Sequence, residues 1–280
     1  MGAAAVTGDA LLAADLDEAT PSREWPAAVQ LARGEAWRIV RHPIALAGLA
    51  LNLAVIVAVG SDGGRSAFSG VTTGSTFYSG VFTYFAANLV TTRERRSGAD
   101  ELLAPLPAGP HARTIGLCLA ALGPALLNAA LVTLAFAVFA MRDMFIVTPS
   151  FWHLAQGPLT VLGGALLGVM VGRWAPYPGV ALVMMVAMVA FNVAVSNGAE
   201  QYRSLGTEVS WARWGPNNES DGWYGYYPGS VAWHDAYLLA LCGMAAAGAL
   251  LRTAASRLPV LVAGGLLTAA MLAAGWAQLP

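Results

Sequence analysis

Charge is what this chain has least of. Only 11% of its 280 residues are Asp, Glu, Lys or Arg, less than half of the roughly 25% with which a soluble domain covers its surface. An ordinary water-soluble fold is thereby excluded. Lysine is missing altogether: all fifteen basic residues are arginine. Schiff-base chemistry and the lysine-bearing phosphate loop go with it, so the chain does not cradle ATP phosphates in the usual way. Cysteine is limited to Cys118 and Cys242, each inside an apolar run. They read as small buried side chains and give neither a disulfide framework nor a metal site. No H-E-x-x-H occurs, and no Ser–His or paired-Asp arrangement stands out within the apolar runs. No catalytic residue and no metal ligand is expected.

What the chain has is apolar length. Hydrophobic residues make up 57% of it, at a mean hydropathy of +0.58, and a membrane-spanning helix needs about 20 of them in a row. Candidate spans are Ile44–Gly60, Phe68–Thr92, Arg113–Ala140 with a kink at Pro124, Trp152–Gly172, Gly179–Asn197, His234–Leu251 and Leu258–Ala277. The expected fold is an all-α polytopic transmembrane bundle of six to seven spans; no charge flanks the C-terminal side of the last one. Residues 1–25 are Ala-rich with scattered acids and lack a basic start and apolar core, so they read as a disordered cytoplasmic tail and not a signal peptide. Residues 26–42 form an amphipathic helix, with Val29, Ala32, Ala36, Trp37 and Val40 on one face and Gln30, Arg33, Arg38 and Arg41 largely on the other. Trp and Arg around a narrow apolar stripe suit a helix in the membrane interface; packing against a partner is the alternative. Residues 43–280 are the transmembrane domain.

Arginine placement sets the orientation. With the N-terminus inside, Arg23, Arg33, Arg38, Arg41, Arg93, Arg95, Arg96, Arg113, Arg173, Arg252 and Arg257 lie on the cytoplasmic side, and only Arg65, Arg142, Arg203 and Arg213 lie outside. If the last run spans, the C-terminus is outside. The loop 198–233 is then extracytoplasmic and dense in Tyr and Trp, which suits anchoring at the membrane–water boundary ahead of ligand capture.

The cytoplasmic segment from Thr91 to Thr114 carries the functional signal. Arg93, Glu94, Arg95 and Arg96 close the second span, and Ser97-Gly98 breaks the helix. Asp100 and Glu101 suit the start of a short helix whose apolar face is Leu102, Leu103 and Leu106, stopped by Pro105 and Pro107. The pattern E-R-x-x-G-T-x-E-L-L-x-x-L-P, met here by Glu94, Arg95, Gly98, Glu101, Leu102, Leu103, Leu106 and Pro107, resembles the permease subunits of bacterial ABC-2 type transporters, of the actinobacterial kind. The match covers about twenty residues. Ala99 stands where the family carries threonine, and a seventh span would depart from the usual six.

The resemblance implies a permease subunit of an ATP-driven exporter in the bacterial plasma membrane, paired as a homodimer or heterodimer and coupled to an ABC-type ATPase subunit. ATP and Mg would be bound by that partner, with no cofactor on this chain and no nucleic acid involved. The loop 93–110 would hold the coupling helix, Arg93 to Pro107, with Glu94 and Glu101 contacting the ATPase or fixing loop geometry. The cargo would be hydrophobic or amphiphilic: a drug, peptide or lipid. Two alternatives remain: an ion-coupled secondary transporter, which usually needs acids within its spans, and a membrane anchor recruiting a cytoplasmic partner.

Other polar and small residues read mainly as architecture. Gly164, Gly168 and Gly172 recur every four residues, a spacing that lets helix backbones approach, inside the subunit or between subunits. Asn52, Asn88, Asn128 and Asn192 should face other helices, since an unpaired amide in hydrocarbon is costly. Interhelical bonding is the first reading, and a substrate path for Asn128 or Asn192 the second. His153 and His234-Asp235 are expected at wetted outer interfaces.

Overall fold

The computed structural model describes residues 21–60, 64–72, 74–96, 109–197 and 230–278. Within them, the side chains at 21–24, 59–60, 64–66, 74–77, 94 and 192–197 are outside the description. All regular structure among the described residues is helical. In chain order the helices are α1 (Pro21–Val40), α2 (Pro43–Gly60), α3 (Gly64–Thr72), α4 (Gly74–Arg96), α5 (Pro110–Ala120), α6 (Leu122–Met141), α7 (Phe151–Trp174), α8 (Val180–Asn197), α9 (Val231–Leu251) and α10 (Leu258–Ala277).

Among the described residues, four helical stretches are long and apolar enough to cross a membrane: α5 with α6 as Pro110–Met141, then α7, α9 and α10. A fifth is formed if α1 and α2, bent by 60° at their junction, are taken as one. The protein is therefore a membrane-embedded helical bundle. Of the remaining expected spans, Gly179–Asn197 is matched by α8, Val180–Asn197, and the second is divided. In place of a single helix over Phe68–Thr92, α3 ends at Thr72 and α4 begins at Gly74. The Thr72 hydroxyl turns back onto the Phe68 carbonyl at 2.9 Å, one of the side-chain bonds by which threonine competes with the helix ladder. In α8 the described apolar stretch, Val180–Phe191, is shorter than a span.

α7 is the centre of the molecule. It packs along α4 on one side and α9 on another, with α6 against a third; α9 in turn carries α10. The main core gathers Ile39, Ala86, Ala87, Leu117, Ala120, Leu166, Val169 and Ala245. Alanine and glycine dominate these seams because, with no hydrophobic force between helices in lipid, close backbone approach supplies the attraction.

Proline marks the breaks as chain sterics dictate. Pro124 lacks an N–H for the Ala120 carbonyl, and the helix is interrupted three residues earlier, at Ala121, whose N–H bonds instead to Cys118 O at 3.3 Å. α6 ends in a Schellman turn: Asp143 N–H bonds to Ala140 O at 3.1 Å and Met144 N–H to Phe139 O at 3.0 Å, with Asp143 left-handed at φ 53°. The next helix opens on a reciprocal cap, in which Ser150 and His153 exchange side-chain and backbone bonds.

The face that α1 buries is not the one its pattern suggests. Ala28, Ala32 and Ile39 are buried, while Val29 and Trp37 are exposed. α1 lies along α5, so close that a methyl on Gly116 would sit 3.1 Å from Ala28 O, and one on Gly123 2.9 Å from Ala36 Cβ. Alanines form much of that approach, whereas Val29 and Trp37 are turned outward.

Candidate functional site

The segment with the functional signal is anchored between α4 and α5. Arg93, Arg95 and Arg96 form the last turn of α4 and are exposed. Gly98, Glu101, Leu102, Leu103, Leu106 and Pro107 lie outside the described residues, as does the Glu94 side chain. The chain resumes at Gly109, extended at φ −61° and ψ 166°, with Pro110 at the first helical position of α5, where its missing N–H costs nothing. The Thr114 hydroxyl donates to Pro110 O at 2.9 Å and closes this first turn.

Three helices end together with these arginines. α4 and α7 run in the same direction, with Gly164 against Gly80, Gly168 against Tyr84 and Gly172 against Thr91. α9 runs parallel to both: Cys242 Sγ donates to Leu159 O at 3.4 Å and Trp174 Nε1 to Gly248 O at 2.8 Å. Arg93, Arg95 and Arg96 on α4, Arg173 on α7 and Arg252 just past α9 thus mark one end of the bundle. Arg113 in the first turn of α5 and Arg257 capping α10 open the helices that leave it. Arg252 also rests over the Trp174 ring, 6.0 Å from its centroid, a cation–π contact.

The glycine stripe joins the loop's anchor to the core. A methyl on Gly164 would lie 2.4 Å from Gly80 O, one on Gly168 2.3 Å from Tyr84 O, and one on Gly172 2.9 Å from Thr91 Cγ2. Asn88 Nδ2 reaches across the same seam to Gly168 O at 3.2 Å. These glycines therefore serve a contact inside the subunit.

Asn128 is buried on α6, and neither amide atom has a hydrogen-bond partner among the described residues. It borders a cavity of about 20 Å³ with Ser79, Thr83 and Pro124; the Ser79 hydroxyl is likewise buried and unbonded. A space of that size admits one water, not a substrate. The Asn192 side chain lies outside the described residues.

At the opposite end, the two outer histidines are not wetted as a pair. His153 is the cap of α7 and meets Phe68 edge-on at 5.1 Å, but His234 is buried, its Nδ1 2.9 Å from Gln278 Oε1. Ser230 N–H bonds to Gln278 O at 2.9 Å, so the C-terminal end of α10 is tied to the start of α9. Asp235 is buried with both carboxylate oxygens unbonded among the described residues, and so is Gln156 Nε2 on α7. One heptad up from the Gly163–Cys242 contact, these two residues occupy the same level on facing helices. The sequence gives no sign of the burial of His234, because its tie to Gln278 joins positions 44 residues apart.

No group of three or more His, Cys, Asp or Glu side chains is placed to hold a metal ion among the described residues. Sequence reasoning also missed an apolar cavity of about 310 Å³ between α4, α7, α8 and α9, since each of these helices alone reads as a uniform apolar run. Comparison with protein-family models, with curated proteins and with solved structures finds no match to this chain.

Proposed function

We propose that the chain is the permease subunit of an ATP-driven exporter of the ABC-2 type, with six to seven spans in a bacterial plasma membrane and its N-terminus in the cytoplasm. The observation that carries this reading is the pattern from Glu94 to Pro107 directly after α4, at the arginine-rich end of the bundle. Arginine concentrates on the cytoplasmic side of membrane proteins, so that end faces the ATPase. A short helix with Leu102, Leu103 and Leu106 on one face suits a cleft in a soluble partner. ATP and Mg bind that partner, and the chain acts as a dimer with itself or a second permease. Closure of the ATPase pair displaces the coupling helix, α4 follows, and a path for a hydrophobic or amphiphilic cargo opens by alternating access.

Glu101→Ala and Leu103→Asp test this directly. Each is expected to reduce co-purification of the ATPase, and transport into inverted vesicles, by tenfold or more while the permease itself remains folded. Wild-type levels of both in the two variants would remove the coupling role. A second reading, ion-coupled secondary transport, is favoured by one observation, the buried Asp235 in α9. It predicts that Asp235→Asn abolishes uptake driven by an ion gradient, whereas the exporter reading predicts dependence on ATP.

A further inference from the structure

We infer that the cavity between α4, α7, α8 and α9 is a binding site for a single hydrocarbon chain of a membrane amphiphile, entered sideways from the bilayer. Its volume is about 310 Å³, at the lower end of the range for small-molecule pockets. It is long and narrow: its α7 wall runs from Leu159 to Met170, roughly 16 Å at 1.5 Å per residue. Gly80, Gly163 and Gly164 form part of its inner wall, so backbone lines the cavity there.

The lining decides the chemistry of the occupant. Three polar side chains reach the wall, and each is already bonded within the protein. Tyr84 donates its hydroxyl to Ala181 O at 2.9 Å, Thr160 to Gly157 O at 2.8 Å and Cys242 its thiol to Leu159 O at 3.4 Å. Among the described residues the wall therefore offers a sugar, an amino acid or water no free side-chain donor, and it carries no charge, and a cavity this apolar stays dry. Four methionines, Met170, Met185, Met188 and Met244, complete it. Their unbranched, polarizable side chains adapt to varied apolar shapes, which suits a flexible chain better than a rigid ring.

The open side is set by helix packing. α7 holds α4 and α9 on either flank, and α8 rests lightly on α7 and α4. No packed seam joins α8 to α9 among the described residues. Leu182 and Val186 on α8 and Leu239 on α9 are exposed apolar side chains, which suits the outer surfaces of these two helices to lipid, and we place the entrance between them. This site holds whether or not an ATPase couples to the chain.

The test uses the purified full chain in nanodiscs of phosphatidylcholine and phosphatidylglycerol, without ATPase or nucleotide, and palmitic acid carrying a mid-chain diazirine. After illumination, crosslinks are mapped by mass spectrometry. Peptides from the α8 and α9 walls are expected to label saturably and to lose label at least fivefold under excess plain palmitate. The exposed face of α10 labels in proportion to probe. Met188→Trp and Leu241→Trp fill the cavity from opposite walls at half-buried positions. Each is expected to cut wall labelling at least fivefold and leave α10 unchanged. Wall labelling that is absent, that does not saturate, or that persists in both filled variants would overturn the site. Because no partner is present, failure of the exporter reading leaves this result unaffected.

Discussion

Single atoms decide the closest contacts in this molecule. Gly168→Ala puts a methyl 2.3 Å from a backbone oxygen, Tyr84 O, and a helix carbonyl has no rotamer by which to withdraw. A loss of about 3 kcal/mol is expected, the upper end for overpacking, measured by unfolding in mixed micelles. Gly264 gives the control, since a methyl there meets nothing within 4 Å; Gly264→Ala should be neutral or gain up to ~1 kcal/mol from helix propensity. Asp143 offers the converse case. It holds a left-handed conformation at φ 53° in the turn that ends α6, where a side chain costs roughly 1–2 kcal/mol and glycine none. Asp143→Gly should therefore raise the unfolding midpoint. The four-residue glycine spacing was legible in the sequence. Its partner was not, because neither Gly80 nor Tyr84 announces which helix will come so near.

Helices in this bundle are positioned by their ends as much as by their faces. The corner between α1 and α2 is fixed by His42, whose Nδ1 accepts the Ile44 N–H at 3.3 Å, a bond that needs the neutral ring. Partial burial holds its pKa below the usual 6.5. The unfolded chain then takes up this proton first as pH falls, so the contribution of the corner is intact above about 6.5 and is lost toward lower pH. Amide exchange at Ile44, corrected for its intrinsic rate, should lose protection between about pH 7 and about pH 5, and His42→Gln should abolish that dependence. At the other edge, α10 packs chiefly on α9 among the described residues and is fastened by the bond between His234 and Gln278. A double-mutant cycle between His234→Ala and Gln278→Ala should give a coupling of about 1 kcal/mol in unfolding, the net worth of one buried hydrogen bond. That α1 is amphipathic could be read from its residues. Which face it buries could not, because the pattern weighs Trp37 above Ala28, whereas Gly116 is approached by Ala28, Leu31 and Ala32.

The whole molecule is polar along its axis, with arginine at the shared end of α4, α7 and α9. The α9–α10 hairpin returns the chain, so Gln278 lies beside Ser230. In a variant without Cys118 and Cys242, a cysteine at the exposed Ser256 and one at the chain end, Pro280, should react with an impermeant maleimide from opposite faces of the membrane; labelling from the same face would mean that α10 does not cross. The apolar runs and the arginine ends were plain in composition and order. The cavity was not, since its lining is drawn from four helices far apart in the chain. The seam of α4 with α7 has a mechanical meaning as well. Where backbone touches backbone there is no side chain to yield, so the two helices are expected to move as one body. The compliant wall of the cavity is then α8, which packs thinly on both and carries Met185 and Met188.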